Sequence, residues 1–189
     1  MARLEPLAVE DWSEPMKQAT ARLIPPRDQR PRTQGGLRSR SSRVLGTFAL
    51  HAALADAFFA FNRHVLWGTS LPGRLRHILI IRVAVRRHAA FVFAEHQPQA
   101  LAAGLTDEEI ALLGYTAGVR LPDPLDAALV RATDELVDQG AVEASTWAVL
   151  AEHLDEKQLL DVLFTVGCYQ TVAGFTRSVA LPVDEEAQP

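Results

Sequence analysis

Residues 71–86 constrain the fold more than any other stretch. They read Leu-Pro-Gly-Arg-Leu-Arg-His-Ile-Leu-Ile-Ile-Arg-Val-Ala-Val-Arg. On a helix of about 3.6 residues per turn, the four successive apolar residues Ile78 to Ile81 point in every direction. A helix that is apolar all round is buried all round. This segment therefore predicts a central helix over about 71–86, with Ser70 as its N-cap, Pro72 near its first turn and the cations Arg86-Arg87-His88 at its C-terminal end. The 78–81 run and the Phe58-Phe59 region are more apolar than one small domain covers alone. They predict an obligate oligomer.

The rest of the chain reads as helix too. Val44, Phe48, Ala52, Ala55, Phe58, Phe59 and Val65-Leu66 recur at three and four, which predicts one helix over 44–67. A helix over about 89–103 ends at Gly104, a C′ residue. Thr106 and Glu109 form a capping box for a short helix through Leu113. Pro122 and Pro124 mark a loop. Leu125 to Val137 is amphipathic and Gly140 stops it. Ser145 and Asp155 open two further helices, the last running through Tyr169 and Phe175. No segment reads as a strand, and the fold class expected is all-α.

Composition narrows the function classes. With 189 residues, 48% of them hydrophobic, the chain is long enough for one globular domain. Its 19 cationic and 23 acidic side chains leave a net charge of −4, so the chain as a whole is no polyanion binder. One cysteine, Cys168, excludes a disulfide framework, a C-x-x-C pair and a cysteine zinc site. No 18-residue apolar run and no apolar segment after Met1 is read, so the expectation is a cytoplasmic protein that neither binds nucleic acid nor spans a membrane.

Residues 1–43 stand apart as an Arg/Pro-rich N-terminal arm, broken by Pro25-Pro26, Pro31 and Gly35-Gly36. Between residues 22 and 43, Arg22, Arg27, Arg30, Arg32, Arg38, Arg40 and Arg43 face one acid, Asp28. The arm reads as a solvated wrap on a neighbouring subunit. A nucleic-acid arm would need interleaved aromatics, which are missing; an arginine gate for an anionic substrate is the remaining alternative. The helical domain is expected over 44–184 and an acidic tail over 185–189.

Two segments resemble the carboxymuconolactone decarboxylase family of the alkylhydroperoxidase D-like superfamily. They are Leu71 to Ala84, above, and Phe91-Val-Phe-Ala-Glu-His96 followed by Ala100 and Ala103-Gly-Leu-Thr-Asp-Glu-Glu-Ile110. Leu125–Leu129, Asp134–Leu136, Trp147 and Gly167-Cys-Tyr169 resemble the longer members, so the likeness covers about 44–184. It implies an alkylhydroperoxidase D-like helical bundle, a homo-oligomer (trimer or hexamer), no metal and no organic cofactor. It also implies a site lined by neighbouring helices that handles small lactone carboxylates by acid/base chemistry. Where members usually carry a glutamate, this chain has His77; where they carry an acid or a cysteine four residues before the histidine, it has Val92. His96 matches the family's histidine. The peroxidase branch pairs two cysteines near that histidine, and a lone Cys168 excludes it.

His96 is the first candidate catalytic residue, and His77 the second. An imidazole exchanges a proton near neutral pH, and an apolar setting keeps it neutral. His77 either replaces the acid/base carboxylate or is structural. Arg82, after four apolar residues, needs an anion: either Asp134 or Glu135 in a later helix, or a substrate carboxylate held in bidentate fashion. Phe91, Val92 and Tyr169 are candidates for the substrate lining. Glu95 points about 100° from His96 and reads as solvated or subunit-bridging. His88 shares the face of His96 if the helix runs unbroken. No His-x-x-x-His pair prepares a metal site. The expected function is a cofactor-independent lyase or isomerase on a small organic acid, lactone or polyketide-like ring compound. The alternative is a non-catalytic oligomeric scaffold or small-molecule binder.

Overall fold

The structure, a computed structural model, describes residues 2–24, 39–115 and 121–183, with the backbone alone for residues 39 and 40. Among these residues every regular element is helical and there is no strand. The chain divides into two compact units, residues 1–69 with 178–189, and residues 70–177. Residues 25–38 of the expected arm and the expected acidic tail, 185–189, lie outside the described residues.

The first unit contains α1 (Glu14–Ala21), α2 (Ser39–Phe48) and α3 (Ala52–Arg63), with a π-helical turn at His64–Gly68. Within the expected arm, residues 14–21 form a helix. The Ser13 hydroxyl accepts from the Met16 amide at 3.4 Å and Pro15 sits in the first turn, both start signals. Met16 and Ala19, three apart, are fully buried with Trp12, Ala55 and Phe59 in one core. The boundary between the two compact units falls after Thr69.

The single helix expected over 44–67 is likewise broken. Residues Ala49–His51 form a 3₁₀ turn, and His51 leaves the helical region at φ −144°, ψ 75°. Its Nδ1 accepts from the Leu54 amide at 3.2 Å, so a histidine does the capping that a polar oxygen usually does. The break folds Phe48 back onto Phe58, stacked at 5.3 Å, and edge-on to Phe59 at 5.1 Å. At Gly46 a Cβ would stand 2.5 Å from the Leu7 carbonyl oxygen, so only glycine lets the N-terminal segment lie on α2.

The second unit contains α4 (Gly73–Arg86), α5 (Ala90–Ala102), α6 (Asp107–Leu113), α7 (Pro124–Asp138), α8 (Ala144–His153) and α9 (Glu156–Ser178), whose last residue belongs to the first. α4 is central: every residue from His77 to Ala84 is buried, as the apolar run requires. A ladder of ion pairs ties it to α7. Arg74 meets Asp126 at 2.6 Å, Arg82 meets Asp134 at 2.6 Å and Arg86 meets Asp138 at 2.6 Å. All three pairs are 52 residues apart, so α4 and α7 run parallel and in register.

The caps are partly as expected. Gly104 (φ +98°) closes α5 in a Schellman arrangement: its amide bonds the Leu101 carbonyl at 3.0 Å and the Leu105 amide bonds the Ala100 carbonyl at 3.1 Å. Thr106 and Glu109 form the capping box. Ser70 is not the N-cap of α4; Pro72 is, without a side-chain bond. The amide and hydroxyl of Ser70 both donate instead to buried Asp161 on α9, at 2.6 and 2.7 Å. Nor does Ser145 cap α8, which begins at Ala144 after Glu143. By length and composition, residues 41–68 and α9 are long and apolar enough to cross a membrane, which the sequence reading missed; half of that α9 window is buried within the protein.

Candidate functional site

Two histidines meet inside the second unit. His77 lies on the first turns of α4, His96 in the middle of α5, and their ring centroids are 6.0 Å apart. The apolar α4 packs along α5 and carries His77 to the face that holds His96. Tyr169 of α9 closes the group, its ring edge-on to His96 at 5.0 Å. Exposure is 4% for His77, 9% for His96 and 2% for Tyr169.

The two imidazoles are wired differently. His77 Nδ1 lies 2.8 Å from the Gly73 carbonyl oxygen. A carbonyl only accepts, so Nδ1 carries the proton and Nε2 is the ring's acceptor. Burial lowers the His77 pKa, the Gly73 bond works against that, and the charge of Arg76 adds to the lowering. His96 Nδ1 is buried with no hydrogen-bond partner among the described residues. Burial, with the His77 and Arg76 charges, pushes its pKa down to about 3. Both effects favour the neutral ring at neutral pH. Burial likewise raises the Tyr169 phenol far above its usual value, with Cys168 and Glu95 adding to the rise and Arg76 opposing it.

Arg82 is where the expectations divide, and the structure takes the ion-pair alternative. Its side chain is fully buried; Nε and Nη2 donate to the two carboxylate oxygens of Asp134 at 2.7 and 2.6 Å, and Nη1 donates to the Leu113 and Tyr115 carbonyls. With its donors held by the fold, Arg82 is withdrawn as a substrate-binding residue. Val92, one turn before His96, is on its face and buried; Phe91 is buried beside it. His88 is not on that face: it lies in the turn between α4 and α5 at φ +52°.

Sequence reasoning missed two neighbours. The Gln99 side chain, one turn after Glu95, donates to the Glu95 carbonyl at 3.1 Å and acts on His77 to raise its pKa against the effect of burial. Thr165, one turn before Tyr169, is buried with an unpartnered hydroxyl. The i, i+3 and i, i+4 spacing of Gln99 and Thr165 to site residues was the available signal. A groove of about 820 Å³ lies in the first unit, lined by residues that include Pro15, Arg22 and Asp56.

The carboxymuconolactone decarboxylase family model matches residues 52–135, a span that holds both histidines. No curated protein matches the sequence. Three solved structures share the fold. An uncharacterised peroxidase-related protein with the alkylhydroperoxidase AhpD core, from Ralstonia eutropha JMP134, superposes with a TM-score of 0.77 at 13% identity, over 98% of this chain and 93% of that one. A protein of unknown function from Agrobacterium tumefaciens, whose name likens it to the antioxidant defence protein AhpD, has a TM-score of 0.67 at 16% identity, over 74% of this chain and 96% of that one. An uncharacterised peroxidase-related protein from Silicibacter sp. TM1040 has a TM-score of 0.67 at 14% identity, over 76% and 77%. Residues 52–135 are thus similar to the carboxymuconolactone decarboxylase family, and the described residues share the all-helical fold of these AhpD-like chains.

Proposed function

We propose that the chain is a cofactor-independent acid/base enzyme acting on a small organic acid, lactone or polyketide-like ring compound, by decarboxylation, isomerisation, dehydration or ring closure. The observation that carries this reading is the buried imidazole pair, His77 and His96, with ring centroids 6.0 Å apart. The wiring divides the labour. His77, with Nδ1 committed to Gly73, offers Nε2 as the proton acceptor. His96 resists protonation, so it serves as a neutral hydrogen-bonding group on the substrate oxygen. The peroxidase names of the structural neighbours do not carry over. Two-thiol peroxide chemistry needs an attacking and a resolving thiol, and Cys168 is the chain's one cysteine.

One observation favours a second reading, a small-molecule binder or oligomeric scaffold without turnover: both histidines are more than nine-tenths covered. A panel of lactone carboxylates and β-keto acids separates the two, read by CO₂ release and by deuterium uptake from solvent. Turnover that falls about 10²-fold in His77→Gln and His96→Ala supports the enzyme. Binding without turnover supports the binder. Self-association as a trimer or hexamer belongs to the same reading. Its support is the exposure of Leu50, Leu54 and Phe61 in the first unit and of Leu160 and Phe164 on α9.

A further inference from the structure

We propose that Thr165 is a ligand-binding residue of the histidine site, its hydroxyl donating to a carbonyl or carboxylate oxygen of the bound molecule. The inference rests on the reading of that site given above, and it begins from a comparison within the protein. A threonine inside a helix ordinarily returns its hydroxyl to the carbonyl three or four residues back. Thr20, Thr47, Thr133, Thr171 and Thr176 all do so here, at 2.8–3.1 Å. Thr165 does not. It is 1% exposed, and its Oγ1 has no partner among the described residues.

A buried hydroxyl without a partner destabilises the fold, and the Thr165 hydroxyl does not turn back to its own helix as the others do. Position explains the exception. Thr165 precedes Tyr169 by one helical turn, on the same buried face of α9, and the Tyr169 ring lies edge-on against His96. Nδ1 of His96 is likewise buried without a partner among the described residues. One polar atom on α5 and one on α9 are therefore held without partners, the first on the ring that meets Tyr169 and the second one helical turn from Tyr169. The positive charge of Arg76 is felt by both His96 and Tyr169, which suits an oxygen bearing negative or partial negative charge. A site that hydrogen-bonds its ligand discriminates strongly against an analogue lacking the bonded group.

The test pairs γ-butyrolactone, which has the carbonyl, with tetrahydrofuran, which keeps the ring and lacks it. Affinities are read by ligand-observed NMR on the full chain, for wild type, Thr165→Val and Thr165→Ser, with thermal midpoints in parallel. The expected result is a preference for the lactone of about tenfold or more in wild type and in Thr165→Ser, lost in Thr165→Val, whose midpoint holds or rises. An undiminished preference in Thr165→Val overturns this inference alone. So does a fall in the Thr165→Val midpoint, which assigns the hydroxyl to the fold. Absence of lactone preference in wild type overturns the ligand class proposed for the whole site, and this inference with it.

Discussion

His77 Nδ1 donates to the Gly73 carbonyl oxygen at 2.8 Å, four residues back on α4, and this bond sets the direction in which the ring accepts a proton. A bond to the helix's own backbone at its first turn leaves little freedom to change tautomer. His77→Asn retains a side-chain donor and removes the base. On any substrate the wild type turns over, kcat is expected to fall roughly 10²-fold, with far-ultraviolet circular dichroism unchanged. Wild-type kcat in His77→Asn would make the ring structural.

The buried imidazole of His96 makes stability depend on pH. In the unfolded chain it takes a proton as the pH falls through 6.5, whereas in the folded chain it stays neutral down to about 3. The unfolded state binds more protons between those values, so stability is fully present above pH 6.5 and drains away as the pH falls toward 3. His77, lowered by the same burial, adds the same sign. Urea midpoints at pH 7 and 4.5 should fall less in His96→Leu than in wild type. Parallel losses would mean that His96 titrates alike in both states.

The α4–α7 ladder separates a buried ion pair from an exposed one. Asp134→Asn leaves the Arg82 guanidinium, at 0% exposure, without its counter-charge, and should cost about 3–5 kcal/mol in unfolding free energy. Asp138→Asn, whose carboxylate is 59% exposed beside Arg86, should cost less than about 1 kcal/mol. Equal losses in equilibrium denaturation would contradict the picture of α4 as the unit's buried centre.

Arg82 was legible in the sequence because a cation after four apolar residues has to be paired, and Asp134 was one of the two acids named. The burial of α4, the glycine end of α5 and the Thr106–Glu109 box follow from similarly local rules. The break at His51 was not legible: apolar spacing continues through it, and histidine is a poor advertisement for a cap. Ser70 and Ser145 misled because a serine before a helix has competing uses, and Asp161, far away in sequence, claims Ser70. The meeting of His77 with His96 is a matter of tertiary packing, and helix periodicity says nothing about which faces pack. Thr165 was hidden for the same reason, as one more small residue in a helix that reads as core.

Self-association should respond to charge on the exposed apolar face of α3. Leu54, 53% exposed, and Phe61, 37% exposed, are seven residues apart and share that face. The double substitution Leu54→Glu and Phe61→Glu should convert an oligomer to monomer at micromolar concentration by light scattering. A wild type that is already monomeric refutes the oligomer outright.

The central claim, a neutral imidazole pair with assigned roles, is open to direct observation by long-range ¹H–¹⁵N NMR of the histidine rings across a pH titration. The account predicts His77 as the Nδ1–H tautomer and a His96 that stays neutral at pH 5 while the chain remains folded. A His96 that titrates near 6.5 in the folded chain, or a His77 protonated on Nε2 alone, would contradict it.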